Sequence, residues 1–187
     1  AGMASNRPAF ASPNWVPVEG DKYSLDINSV ALDGRTVSFW AKFKDEKQPF
    51  AAQCKKEIGQ LRQVRITIAG GWSEWEPLVP GSYLERVVDL ARMFALQLPA
   101  DIPESNWVTV VDNWQMDPHQ IILVEDSLLF YFRNLDYDSN PVLAEVQQQQ
   151  GQCKWRVGAQ NSKWRPLTED QPVYRLYQFA RQSGETW

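Results

Sequence analysis

The stretch YSLDINSVALDGRTVSFWAKF (residues 23–43) decides the fold. Tyr23, Leu25 and Ile27 alternate with Ser24, Asp26 and Asn28, the two-residue period of a strand with one buried face. Asp33-Gly34 then supplies a tight hairpin turn. Val37, Phe39, Ala41 and Phe43 alternate on the return, so an antiparallel hairpin is predicted. A third strand is predicted near residues 51–56, and a fourth over Val64, Ile66 and Ile68, stopped by Gly70-Gly71. A helix follows. Ser82 is a good N-cap, with Glu85 three residues later as a capping box. Leu84, Val87, Val88 and Ala91 fall on one face, which is expected to lie across the sheet. Meander strands followed by a helix imply an antiparallel α+β unit.

The pattern recurs. Asn14-Trp15-Val16 returns as Asn106-Trp107-Val108, and Val37-Ser38-Phe39-Trp40 as Leu128-Leu129-Phe130-Tyr131. Cys54-Lys55 returns as Cys153-Lys154, Trp75-Glu76-Pro77-Leu78 as Trp164-Arg165-Pro166-Leu167, and Leu90-Ala91-Arg92 as Phe179-Ala180-Arg181. The spacings are 92, 91, 99, 89 and 89 residues, always in the same order. Two tandem copies of one α+β repeat are therefore expected, over residues 14–100 and 101–187. The jump to 99 is read as an insertion around residues 137–150, whose run Gln147 to Gln150 suits a surface hairpin. In the second copy, residues 121–124 and 128–132 read as paired strands about a Glu125-Asp126 turn. Val142, Ala144 and Val146 alternate, as do Cys153, Trp155 and Val157. Pro172 suits a first helical position, with Val173, Leu176, Tyr177 and Ala180 as the apolar face.

Composition narrows the function. The net charge is -4 and the Lys and Arg residues are scattered, so the clustered basic face that displaces counterions from nucleic acid is missing. The same charge disfavours an anionic membrane surface, and no apolar run approaches the roughly 20 residues that span a bilayer. Nine Trp residues make the chain tryptophan-rich, and large rings let a repeat of this size build a core. Residues 1–13, rich in Ala, Ser and Pro, read as a disordered lead-in without the charged start and apolar stretch of a signal peptide.

The residues that carry chemistry are few. His119 is the lone histidine, so any triad must use it, and an exposed or hydrogen-bonded role is the plainer reading. Asp136-x-Asp138-x-Asn140 resembles the start of a calcium loop, yet Pro141 stands where that loop needs Gly and Gln147 where it needs Glu, so a polar hairpin tip is expected. No Gly-rich phosphate cradle is present, and no carboxylate pair is marked as acid and base. No metal site, cofactor or catalytic residue is therefore expected. Cys54 and Cys153 read as equivalent positions and buried thiols. A bridge between the copies, which requires Cα atoms within about 7 Å, is the other reading. Trp15 with Trp107, and Trp75 with Trp164, are twinned and expected in the core. Trp72, Trp114, Trp155 and Trp187 have no Trp twin and are expected at the surface; Trp72, Trp114 and Trp155 are the candidate partner contacts.

Each copy resembles the surface-adhesin protein E-like family of exported bacterial proteins. The likeness runs from an early Trp through Asp26-Ile27-Asn28-Ser29-Val30 and the strand from Val37 to Trp40. It continues through Cys54-Lys55-Lys56 and a Trp-x-Pro stretch with Pro80-Gly81-Ser82, to the closing helix. The second copy lacks Pro-Gly-Ser, and neither copy has the family's second cysteine, so its local disulfide cannot form. The resemblance implies an exported, non-catalytic protein that binds another protein. Two alternatives stay open: an accessory or assembly factor of a membrane complex in a periplasm or lumen, and a small-molecule-binding or hydrolytic domain using a cleft between the lobes.

Overall fold

The hairpin at residues 23–43 forms in the computed structural model, which describes residues 12–18, 22–96, 100–158 and 160–187. The expected lead-in lies outside the described residues up to residue 11. The chain divides into two units, Ala1–Leu96 and Gln97–Trp187. Each is a mainly antiparallel sheet with one α-helix among the described residues, an α+β architecture.

In the first unit the sheet runs β1 (Trp15–Pro17), β2 (Tyr23–Asp33), β3 (Thr36–Phe43), β4 (Phe50–Lys55), β5 (Gln63–Ile68) and β6 (Gly71–Trp72), with β7 (Glu76–Pro77) also on β5. Asp33 pairs with Thr36, so the turn is Gly34-Arg35, one residue later than the Asp-Gly dipeptide suggests. Gly34 has φ +58, a left-handed value glycine enters without a Cβ clash. The register of β2 against β3 breaks between Asp26 and Ala31. Asp26 is fully buried there, and its Oδ1 accepts the backbone N–H of Asn28 (3.2 Å), inside the interrupted stretch, and that of Asn14 (2.8 Å), just before β1.

Helix α1 (Tyr83–Phe94) starts at Ser82, whose side chain accepts the Glu85 N–H at 3.2 Å. The reciprocal arm of the box lands one residue upstream, with the Glu85 carboxylate accepting from Gly81 N–H at 3.0 Å. Val87, Val88 and Ala91 are buried as predicted, and the helix packs on β2 and β3. Leu25, Val37, Phe39 and Ala52 are buried in the sheet. Each large apolar side chain so removed from water contributes about 1.5–3 kcal/mol, against about 1 kcal/mol for a serine cap. Packing holds the helix; the cap sets where it begins.

In the second unit β8 (Val108–Val111) and β9 (Trp114–Met116) form a hairpin, β10 (Ile122–Val124) and β9 both pair β11 (Ser127–Asn134), and β12 (Asp138–Gln147) and β13 (Gln152–Val157) continue the sheet. Two short strands, β14 (Gln160–Asn161) and β15 (Arg165–Pro166), both pair β13. The β8–β9 hairpin escaped the sequence reading. Its turn is Asp112-Asn113, with Asp112 at φ +49, a conformation Asp and Asn tolerate better than most. Helix α2 (Pro172–Ser183) begins on Pro172 and buries Val173, Leu176, Tyr177 and Ala180, as predicted. These pack with Met116, Leu128, Phe130, Phe132, Ala144, Val146 and Cys153 into one core. After the helix, residues 184–187 run beside Ile121, giving backbone bonds Ile121 N to Glu185 O (3.1 Å) and Trp187 N to Ile121 O (2.9 Å). Trp187 is buried there, at 2% exposure, contrary to its expected surface place.

Two expectations need correction. There is no insertion at 137–150: β12 fills most of that stretch, and the polar run turns the chain into β13. Cys54 and Cys153 are not equivalent. Cys54 lies on β4, opposite Val37 and Val64, whereas Cys153 lies on β13, opposite Val146 and Arg165. Both cysteine strands alternate with an inward Cys, so a Cys-Lys dipeptide cannot distinguish one strand from the next.

Candidate functional site: an aromatic pocket in the second unit

The alternation on β13 carries Cys153, Trp155 and Val157 along the helix-facing side, from fully buried to half-buried to 54% exposed. The sheet therefore runs on past the first turn of α2. In that overhang lies a cavity of about 410 Å³, within the range usual for ligand sites. Its walls are rings. Trp114 on β9 and Phe132 on β11 lie 5.8 Å apart, centroid to centroid, and Trp155 on β13 faces the same space. Val142 on β12 and Pro172 and Val173 of α2 complete the apolar lining.

Polar groups sit at its margin. Arg165 on β15 holds its guanidinium 4.1 Å over the Trp155 ring, a cation on the negative face of an indole. The Trp155 backbone N–H donates to Ser162 Oγ at 3.0 Å, which fixes the strand at that point. Asn134, Asp138 and Gln171 also line the cavity, and Tyr137, 85% exposed, stands at its edge. Asp138 and Asp136 spend their oxygens on the turn: Asp138 accepts from Asn140 N–H (3.0 Å) and Asp136 from Asn113 Nδ2 (2.7 Å). Among the described residues no group of three or more His, Cys, Asp and Glu is arranged to hold a metal.

Of the three candidate contacts, Trp114 and Trp155 meet in this pocket. Trp72 does not. It belongs to the first unit, where Arg65 lies between Trp72 (4.7 Å) and Trp75 (4.6 Å) and Lys55 covers Trp75 at 4.3 Å. The twinned indoles expected in the core are also only partly covered, and each carries a cation. Lys42 stacks on Trp15 (4.5 Å), Arg133 on Trp107 (4.4 Å) and Lys154 on Trp164 (4.7 Å). Arg133 is held by a second device, a two-pronged bond to Glu104 at 3.0 and 2.9 Å, and this hydrogen bonding lowers the Glu104 pKa. Each stack pins an indole against a cation from another segment of its own unit.

The thiols are poor nucleophiles. Burial pushes Cys54 up to about 12, and burial raises Cys153 as well, so both stay protonated near neutrality. Both are free and fully buried. Beside Cys54, Arg62 bridges Glu85 (2.8 Å) and Asp89 (2.5 Å). Burial still raises Asp89 to about 6, against the pull of Arg62 and with a push from Glu85. His119 sets its Nδ1 3.4 Å from the Glu185 carboxylate, and its backbone N–H donates to Asp117 at 2.9 Å.

Sequence reasoning missed Phe132, Val142, Pro172 and Arg165 as pocket residues. The strand and helix positions of Phe132, Val142 and Pro172 were readable; the strand at Arg165 and the overhang beyond α2 were not. No helix among the described residues is long and apolar enough to cross a membrane. Comparison with protein families, with curated proteins and with solved structures returns no match.

Proposed function

We propose that this chain is a non-catalytic binding protein that takes part of a partner polypeptide into the aromatic pocket of its second unit. The observation that carries the reading is the convergence of Trp114 and Trp155, with Phe132, on one open concavity rimmed by polar groups. Two half-buried indoles over a buried phenylalanine and beside an arginine are the composition of an interaction hot spot. Thiols held protonated by burial support a binding rather than a catalytic role. Export belongs to the same proposal and is supported by the resemblance of each copy to an exported family. The test is to fill the pocket with Val142→Phe and compare partner capture with the wild-type chain. Capture is expected to fall while the melting temperature holds. A partner retained equally by both proteins would sink the reading.

We further infer that the two units are tandem copies of one α+β repeat. Small hydrogen-bond motifs recur in step. Ile66 and Ser73 exchange the bonds that Trp155 and Ser162 exchange, and Leu78 N to Arg62 O is matched by Leu167 N to Gly151 O. Gln63 pairs Pro77 as Gln152 pairs Pro166. The buried Asp26 and Asp117 each accept the N–H two residues on. Replacing residues 63–77 by residues 152–166, a segment of equal length, should leave one cooperative unfolding transition by circular dichroism. Loss of the folded state in that chimaera rules the equivalence out.

A further inference from the structure

The chemistry of the occupant rests on the binding role proposed for the pocket, and the first unit shows what fits the space. There Tyr23 pairs Phe43 and Ala41 pairs Phe50, at the register positions that Trp114–Asn134 and Phe132–Val142 hold in the second unit. The rings of Tyr23, Phe43 and Phe50 stack with centroids 4.8, 5.5 and 6.3 Å apart, and Phe50 is 9% exposed. Tyr83 opens α1 where Pro172 opens α2. Three ring positions of the first unit are thus Asn134, Val142 and Pro172 in the second, beside the rings of Trp114, Phe132 and Trp155.

The mouth of the pocket differs in charge as well. Arg165 pairs with Cys153 on β13 as Glu76 pairs with Val64 on β5. Its guanidinium lies over Trp155, and among the described residues no carboxylate pairs with it. A planar, weakly hydrated cation beside an aromatic cavity suits a carboxylate carried next to a ring. Strand addition is disfavoured at the neighbouring stretch of β12. Pro141 has no N–H to offer and the Asn140 N–H already bonds Asp138.

We propose that the pocket receives the aromatic side chain of a partner polypeptide that bears a carboxylate adjacent to that ring, the ring packing among Trp114, Phe132 and Trp155 and the carboxylate meeting Arg165. The probes are four blocked tetrapeptides, acetyl-Gly-X-Z-Gly-amide, with X as Phe or Leu and Z as Asp or Asn, and phenylacetate as the free small aromatic. They are titrated against the full chain while the indole N–H signals of Trp114 and Trp155 are followed by NMR. The Phe-Asp peptide is expected to bind about tenfold or more tighter than Leu-Asp, and several-fold tighter than Phe-Asn at low salt. Arg165→Glu should erase the Asp preference and leave the Phe preference. Val142→Phe should abolish binding; Pro172→Tyr, at an exposed helix start, serves the same end should the core substitution disturb folding.

Equal binding of the Phe and Leu peptides overturns the proposal, as does an Asp preference that survives Arg165→Glu. Phenylacetate binding as tightly as the Phe-Asp peptide overturns the polypeptide occupant. If the pocket-filled variants lose capture of the natural partner while the peptides fail to discriminate, the binding reading stands and this inference falls. If filling changes neither, both fall.

Discussion

In the first unit Tyr23, Phe43 and Phe50 pack within 4.8–6.3 Å of one another. In the second unit the same register positions carry Trp114, Asn134 and Val142, and a cavity of about 410 Å³ stands open. On the proposed repeat, the difference between these two places lies in a few side chains. On the proposed repeat and binding role, the contrast teaches how a binding site is made from a packing site: remove rings from the centre, keep or enlarge those at the wall, and turn a carboxylate at the rim into a guanidinium. The first unit spends those positions on its own stability; the second leaves apolar surface uncovered, as the proposed binding role requires.

Converting one end toward the other tests this account. Phe50→Val in the first unit removes a buried ring from a filled cluster and should cost about 2 kcal/mol, part transfer and part cavity, read as a lower midpoint in urea denaturation. The opposite change, Val142→Phe, adds a ring to space already empty and should not lower stability by a comparable amount. If both substitutions destabilise equally, the second end is not an unfilled version of the first.

A smaller effect concerns Arg62, Glu85 and Asp89, a cluster of the first unit whose ion pairs have no counterpart at the same place in the second, where Gly151 stands at the position of Arg62. Asp89 has its pKa raised from 3.8 to about 6 in the folded chain. The folded state therefore holds more protons than the unfolded state between those values. The stability this group contributes is fully present below pH 3.8 and is lost as pH rises through about 6. The slope from one proton is at most about 1.4 kcal/mol per pH unit. Asp89→Asn should flatten the decline in urea-determined stability across that window. An unchanged slope would mean that the carboxyl titrates normally.

Much of the fold was legible because strands and helices declare themselves by period. The alternation of Val37, Phe39, Ala41 and Phe43, and the stripe of Val173, Leu176, Tyr177 and Ala180, identified inward-facing positions, and of these only Phe43 is less than fully buried. The β8–β9 hairpin was missed because Asp112-Asn113 is a weaker turn signal than a dipeptide with glycine. Trp114 and Trp155 were singled out one by one as candidate contacts, but their meeting depends on register across β9, β11, β12 and β13. Alternation assigns a side chain to a face and says nothing of what covers that face. For the same reason Trp15, Trp75, Trp107 and Trp164 were expected in the core. Each finds a lysine or arginine on another segment of its own unit, a pairing set by register and invisible in the linear order.

The two sealed sulfurs have an experimental consequence. Cys54 sits inside one unit and Cys153 inside the other, each at 0% exposure. A thiol-reactive dye meets either atom only when the surrounding strands part, so labelling speed records how often that happens. With Cys54→Ala or Cys153→Ala in place, the remaining thiol becomes a clock for its own half of the chain. Running it with and without a bound peptide would tell which half a ligand holds shut.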